Sequence, residues 1–478
     1  MFDRDTPRAA SRTPVSIAPP LAIVVRVKLS MLGGGGFRTP LVYGALLTDT
    51  HERRVREVWL HDVDEARLLA VRAVLDEMAA THDDPPVLKH TTDLDEAVAG
   101  SDFVFSAIRT GGLEGRVQDE RVALDLGLLG QETTGPGGIA YGLRTVPVAR
   151  RVAERVRELA PRAWVINFTN PAGMITQAMQ EILGDRVVGI CDSPIAMARR
   201  AIRLAGTSAP GADVEIDYLG LNHLGWLRGV RVDGRDVLPD LLADETALLS
   251  MEEGQLFGTE WLQTLGAIPN EYLYYYYFNR DAVAKILAAE QTRGEYLLAQ
   301  QAQFYDRIAS CHEGFLAEWD RVRLERNATY MQEARGAEEQ RDDDDVQGGG
   351  YEGVALAIMG AISRGEPAEL ILNVRNSLGG RALLPSLPDH AVVEVPCRVD
   401  ADGPHPHALP SLAGAELGLV QQVKACDGLV IEAATEGDPR RAVQAFAQHP
   451  LVDSVTVARE LLGGYRARIP LVDRVFSR

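Results

Sequence analysis

Residues 27–37 read VKLSMLGGGGF, and this stretch decides the fold class. An apolar, β-prone run that breaks into four glycines, Gly33 to Gly36, is the pattern of a first strand in a doubly wound sheet. Glycines there let backbone N–H groups approach a pyrophosphate, and the next helix turns its positive end toward the same charge. The helical run LVYGALL follows at residues 41–47. The common spacing G-x-G-x-x-G fails at its third glycine, which falls on Arg38 counting from Gly33 and on Thr39 counting from Gly34. Taken alone, the loop also reads as a tight strand–helix turn with no ligand.

The next strand adds the missing weight. VREVWLHD closes on Asp62, 26 residues after Gly36. A carboxylate there accepts hydrogen bonds from a ribose diol and repels a 2′-phosphate, which favours NAD over NADP. Asp64 is the alternative. The helical stretch EARLLAVRAVLDEMAA follows, with Leu68, Leu69, Val71, Val74 and Leu75 expected on one side. Then come SDFVFSAI, the glycine-rich RTGGLEGR, the strand-like AWVINFTNP, the helical GMITQAMQEIL and the strand-like RVVGICDSP. This alternation predicts α/β architecture with a Rossmann-type parallel sheet over residues 21–190. Residues 191–478 are expected to form a C-terminal α+β domain for substrate, metal and oligomerisation. It has helical segments over 281–335, strands near 368–375 and 391–399, and a helical stretch over 438–465.

Composition bounds the function. The chain has 478 residues, 46% apolar and 24% charged, which is ordinary for a globular protein. A formal charge of −19 argues against binding to nucleic acid. The four cysteines make no disulfide framework, and a reducing cytoplasm is the natural reading. Residues 1–20 read as a loose tail. The apolar run Leu21 to Val25 is too short for a signal-peptide core, and no run suggests a membrane span. The acidic run Arg341 to Asp345, with Gly348 to Gly350 after it, reads as a solvated loop.

Two positions invite chemistry. Cys191 ends a strand, where α/β folds place ligands, and Asp192, Ser193 and Pro194 after it make a polar turn. His223 lies in YLGLNHLGW. A Cys and a His, completed by substrate oxygens, suit a divalent metal, although two ligands 32 residues apart form no motif. A buried structural cysteine is the competing reading. The run from Glu271 to Tyr277 contains five tyrosines. One of them beside a metal would lose its proton more easily and serve as a base. The sequence leaves open which.

In order along the chain, LGGGGF, RTGGLEGRVQDE, GQETTGPGG, INFTNPAGMIT, GICDSP, GLNHLGW, IPNEYLYYYY, TRGE, ILNVRN and LPDHAVVEVPC resemble glycoside hydrolase family 4. These are glycosidases that depend on NAD and a metal, outside the two-carboxylate scheme. RTGGLEGR and CDSP make the chain look most like the members that act on 6-phospho-β-glucosides. The resemblance implies a redox-neutral route: oxidation at C3, removal of the C2 proton, elimination of the aglycone, addition of water and return of the hydride. It implies Gly33, Gly34, Gly35, Gly36, Phe37 and Asp62 at the NAD, and Cys191 and His223 as ligands of a metal, usually Mn2+. It implies Tyr272 as the C2 base, with Tyr275 and Tyr276 in reserve, and Asp119 as the acidic group assisting the leaving group. Arg109, Asn170, Asp192 and Arg293 fall at substrate contacts, Arg293 at the phosphate. A homodimer or homotetramer with a small phosphorylated glycoside as its partner is the implied assembly. The chain departs from many members in carrying Gly36, Phe37 and Arg38 where they carry Ser and Thr, and in reading Gln347-Gly348-Gly349 where they read R-G-G. Arg38 is the candidate to compensate. Competing activities are another family 4 glycosidase, on an unphosphorylated or α-linked glycoside, and a lactate/malate-type dehydrogenase. The latter would use a His base and need no metal-binding Cys.

Overall fold

Alternation of short apolar runs with helical runs builds a parallel sheet only if each crossover packs a helix on a face. The computed structural model describes residues 26–206, 213–331 and 350–477. The expected N-terminal tail and the acidic run at 341–345 lie outside them. β1 (Val27–Leu32), β2 (Val55–His61), β3 (Val87–Thr91), β4 (Phe103–Ser106), β5 (Trp164–Asn167) and β6 (Val187–Gly189) pair in parallel in the order β3-β2-β1-β4-β5-β6. The order reverses between β1 and β4, and a crevice opens there at the strand ends. The helices α1 (Thr39–Thr48), α2 (Glu65–Ala79), α3 (Leu94–Val98), α4 (Gly112–Leu124), α5 (Pro136–Leu159), α6 (Ala172–Leu183) and α7 (Ser193–Leu204) cover this half. On α2, Leu68, Val71, Val74 and Leu75 are buried, but Leu69 is 51% exposed. One residue of helix turns a side chain by about 100°, which carries Leu69 off the stripe of Leu68.

The sheet does not stop at β6. β7 (Val214–Leu221) and β8 (Leu224–Val232) form a hairpin, followed by β9 (Arg235–Asp236) and β10 (Ile268–Pro269). β11 (Ala368–Arg375) and β12 (Val392–Asp400) fall on the expected strand regions, and β13 (Gly403–Pro406) pairs with β12. β11 joins β6 antiparallel, and the order continues β12, β7, β8, β10, so one 13-stranded sheet runs through both halves. Helices α8 (Arg293–Ser310), α9 (Phe315–Ala328) and α10 (Tyr351–Arg364) close over the crevice side. The helices Pro439–Gln448 and Val455–Arg468 occupy the expected C-terminal region. The sequence pattern does not mark the 23-residue helix Gly414–Glu436, which packs on α5.

Where the two halves meet, one register row crosses five strands. It runs Gly189 on β6, Asn373 on β11, Glu394 on β12, Gly220 on β7 and Gly225 on β8. Glu394 is fully buried between the buried valines Val393 and Val395. Its Oε1 accepts from Asn373 Nδ2 at 2.8 Å and from Asn222 Nδ2 at 3.3 Å, and its Oε2 accepts from Tyr218 Oη at 2.9 Å. The glycines make room: a Cβ on Gly225 would stand 2.4 Å from Tyr218 Oη, and one on Gly189 2.8 Å from Asn373 Cβ.

His449 follows the helix Pro439–Gln448 and is 4% exposed, with its Nδ1 accepting from Leu451 N at 3.2 Å. Burial pulls its pKa down to about 3. The unfolded chain therefore takes this proton more readily, so His449 stabilises the fold above pH ~6.5 and that stability is lost as pH falls toward the folded value. His449→Asn keeps the acceptor and does not titrate. Denaturation measured from pH 7 to pH 4 should show the wild type losing roughly 1–3 kcal/mol more than the variant. Superimposable pH profiles would refute this assignment.

Candidate active site

The glycine loop is fixed before any ligand arrives. Gly33 has φ +82°, and a Cβ there would lie 2.5 Å from Ala107 O, so no other residue fits. Gly35 N donates to Asp62 Oδ2 at 3.2 Å. Asp64, the alternative acid, caps α2 by accepting from Arg67 N. Burial raises the Asp62 carboxyl, against the hydrogen bonds from Asp64 N and Gly35 N. The second half clasps the same loop: Tyr305 Oη donates to Gly35 O at 2.7 Å, and Trp319 Nε1 donates to Phe37 O at 2.8 Å. The Phe37 ring is 5% exposed and packs on Phe304 and Trp319. Its task in the structure is to anchor the loop.

A cavity of about 1440 Å3 runs from this loop to the ends of β6 and β7. Gly33, Gly35, Gly36, Phe37, Asp62, Arg109, Asn170, Cys191, Asp192, His223, Tyr272 and Arg293 all line it, whereas Gly34 and Asp119 do not. Gly34 is turned against β2, where a Cβ would meet Leu60 at 2.9 Å. Tyr275 reaches the same cavity, and Tyr276 lines a separate small one. Cys191 is buried, and burial pushes its thiol up, as do Asp192 and Glu394. His223 sits in the β7–β8 turn at φ +63°, and burial pulls it down to about 3, so the imidazole is neutral. Its Nδ1 lies 3.2 Å from Thr133 Oγ1, which leaves Nε2 for a metal. Among the described residues no three His, Cys, Asp or Glu side chains form a ready metal cluster. The donor set present is thus one soft and one borderline ligand, with open positions for oxygens. Asn170 Oδ1 is buried on the cavity wall without a hydrogen-bond partner among the described residues, as a contact awaiting a hydroxyl would be.

Tyr272 stacks on His223 with ring centroids 3.6 Å apart. Its hydroxyl lies 2.9 Å from that of Tyr330, which lies 3.0 Å from Glu271 Oε1. Ser193 Oγ donates to the same oxygen at 2.9 Å. Burial drives Tyr272 well up, as does Glu271, while the Tyr330 hydrogen bond acts the other way. Burial, Glu252 and Glu253 push Glu271 up to about 8.

Arginines crowd the far wall. Arg38, Arg109, Arg116, Arg293 and Arg326 all line the cavity. Glu132 pairs with both Arg109 and Arg116, and these two overcome its burial to hold it at about 2. Glu120 takes a second bond from Arg116 at 2.9 Å. Arg293, at the start of α8, donates to Thr329 Oγ1 and Arg326 O. Arg38 lies over Phe168 and Tyr351, and Arg326 over Phe37. Neither makes a hydrogen bond or ion pair with its guanidinium among the described residues. Burial and repulsion from Arg38, Arg293, Arg109 and Arg116 push Arg326 well down. Arg326 and Tyr330 carry no mark in the sequence, and Glu132 and Arg116 are marked only by lying in GQETTGPGG and RTGGLEGR; only folding brings them together here.

Residues 28–206 match the model of the family 4 glycosyl hydrolases, and residues 218–452 match the model of that family's C-terminal domain. The 6-phospho-beta-glucosidase of Escherichia coli is 30% identical over 93% of this chain and 96% of its own. The 6-phospho-beta-glucosidase of Thermotoga maritima, solved with manganese, NAD+ and glucose-6-phosphate, is 28% identical with a TM-score of 0.75, covering 92% of this chain and 98% of that one. A 6-phospho-alpha-glucosidase from gut microorganisms, solved with NAD and glucose-6-phosphate, is 28% identical with a TM-score of 0.77, covering 93% and 97%.

Asp119 requires a correction. The leaving-group role placed it at the substrate, but its carboxylate is wholly buried on α4 and takes two bonds from Arg144, at 2.7 and 2.6 Å. Arg144 also donates to Thr110 O at 2.8 Å, and Tyr465 Oη donates to Asp119 O at 3.0 Å. Burial raises Asp119 to about 7 against the pull of Arg144. Both oxygens are engaged, and neither reaches the cavity wall. Removing one partner of such a pair costs about 3–5 kcal/mol. Asp119→Ala should lower the melting temperature sharply while the folded fraction, titrated by NAD+ binding, keeps its kcat within about threefold. A large kcat loss at unchanged stability would restore the chemical role.

Proposed function

The chain belongs to the family 4 glycosyl hydrolases, and on that premise we propose that it hydrolyses 6-phospho-β-glucosides with NAD+ and a divalent metal, Mn2+ foremost. The observation that carries the phosphate is the arginine wall. Five guanidinium groups line this wall, only Arg109 and Arg116 are paired to Glu132 and Glu120, and the guanidinium groups of Arg38 and Arg326 have neither ion pair nor hydrogen bond among the described residues. Burying unpaired like charges is costly, and a dianionic group between them offsets that cost. This supports Arg293 as a phosphate contact, with Arg326 and Arg38 beside it. The β linkage rests on RTGGLEGR and CDSP and on the 30% identical relative.

When bound, NAD+ supplies a hydride acceptor for a sugar hydroxyl carbon, and the metal at Cys191 and His223 supplies a Lewis acid for the hydroxyl oxygens. The chain's own groups do the rest. Asn170 Oδ1 accepts from a sugar hydroxyl, and Arg109, held by Glu132, frames the ring. Tyr272 acts at C2 only as its phenolate, since its neutral hydroxyl has no capacity for the proton. The route out of that hydroxyl runs through Tyr330 to Glu271, which accepts the proton in its ionised form. Burial keeps bulk water from the intermediate. Gly33 to Gly36 and Asp62 hold the dinucleotide, so the division of labour at residue 190 belongs to the same proposal, although one sheet spans both parts.

Aryl β-glucosides with and without the 6-phosphate, offered with NAD+ and Mn2+, test the reading. Aglycone should be released from the phosphorylated one at a kcat/KM at least a hundredfold higher, with no build-up of NADH. Equal turnover of the two would sink the phosphate assignment, and preference for the α-linked phosphate would move the chain to that linkage. Arg326→Met should raise KM for the phosphorylated glycoside about tenfold to a hundredfold and leave NAD+ affinity alone. An unchanged KM would remove Arg326 from the site.

A further inference from the structure

We propose that Glu394 is a positioning residue for the metal site: through Asn222 it holds the turn carrying His223 in register with Cys191. The proposal rests on reading Cys191 and His223 as the metal pair.

The two ligands leave the sheet from β6 and β7, and these strands are not neighbours, because β11 and β12 lie between them. Three strand spacings put their backbones about 14 Å apart at the level of the sheet. No local turn sets one ligand against the other, so their relation depends on register across four strands. That register is the row Gly189, Asn373, Glu394, Gly220. Cys191 lies two residues beyond one end of it, and Asn222 and His223 lie two and three beyond the other.

The far end is the demanding one. His223 adopts φ +63°, a conformation that is strained for a non-glycine residue and persists only where surroundings impose it. Its neighbours are Thr133 at Nδ1 and the face of Tyr272, while Asn222 is drawn to Glu394 Oε1. Glu394 is the acid in VVEVP, where the adjoining valines Val392, Val393 and Val395 are buried and a further apolar residue would pack. A wholly buried carboxylate is costly unless its acceptors are used. Here Asn373, Asn222 and Tyr218 use both oxygens. Gly225 leaves the space through which Tyr218 reaches, since a Cβ there would stand 2.4 Å from Tyr218 Oη. The network fixes an amide beside a ligand, as outer partners of metal ligands do.

Glu394→Gln keeps an oxygen for both asparagines and turns its amide to Tyr218 Oη, which can accept. Glu394→Leu and Asn222→Ala each cut the link. The readouts are Mn2+ affinity, from the electron paramagnetic resonance signal of free Mn2+, and NAD+ affinity as the check on folding. Glu394→Gln should bind Mn2+ within about threefold of the wild type. Glu394→Leu and Asn222→Ala should each weaken Mn2+ about tenfold to a hundredfold with NAD+ affinity unchanged. The double variant should be no worse than either single one. Wild-type Mn2+ affinity in Asn222→Ala overturns the proposal, and this variant decides the matter if Glu394→Leu does not fold. Additive losses, or a Gln variant as weak as the Leu variant, overturn it too, because Glu394 would then act independently of Asn222 or by charge. Cys191→Ser run alongside separates the premises: Mn2+ binding that survives it dismisses the metal pair itself.

Discussion

The Glu394 carboxylate is wholly shielded from solvent, and three donors, from β7, from β11 and from the β7–β8 turn, converge on it. It sits where a parallel sheet built by βαβ crossovers meets an antiparallel sheet built by a hairpin and a long-range strand pair. Each half could form its own ladder, but nothing in backbone hydrogen bonding alone sets the register between them, because a one-residue slip preserves the ladder and reverses every side chain. A buried polar row resists such a slip, since any shifted pairing would strand a charge. Cys191 and His223 hang from opposite ends of that row, so the geometry of the candidate metal pair is set by the sheet junction.

The same joining of halves recurs at the glycine loop. Its carbonyls at Gly35 and Phe37 are satisfied by Tyr305 and Trp319, which come from helices nearly three hundred residues further along the chain. Loop and helices therefore order together, and the cavity exists only between them. Its charge follows from this closure as well. A chain with a net −19 builds a wall of five arginines by drawing Arg38 from the first loop, Arg109 and Arg116 from α4 and its approach, and Arg293 and Arg326 from α8 and α9. Low dielectric makes each of these charges count for more than the distant acidic surface.

Much of the fold was legible because its signals are local. VKLSMLGGGGF, VREVWLHD and RVVGICDSP each announce a strand and the ligand-facing loop at its end, and their order gives the parallel sheet. Twelve of the residues expected at the site from motif resemblance do line one cavity. Two do not, for physical reasons. Gly34 faces β2 because the loop turns on it, and Asp119 is taken by Arg144, a partner 25 residues away on another helix. Glu132, Arg326 and Tyr330 were illegible because a charged or phenolic residue in a helix or loop reads as solvated unless something else buries it.

By itself the sequence determined the periodicities, the glycines that only a close backbone approach requires, the acid after the second strand and the ordered landmarks of a family. These are properties of neighbouring residues, written in steric and propensity terms along the chain. Only the tertiary structure decided that the two halves share one sheet, that Cys191 and His223 line one cavity, that Tyr272 reaches Glu271 through Tyr330, and that Arg326 lacks a counterion among the described residues. Each of these depends on which distant side chains burial brings into contact, and burial is a property of the packed chain as a whole.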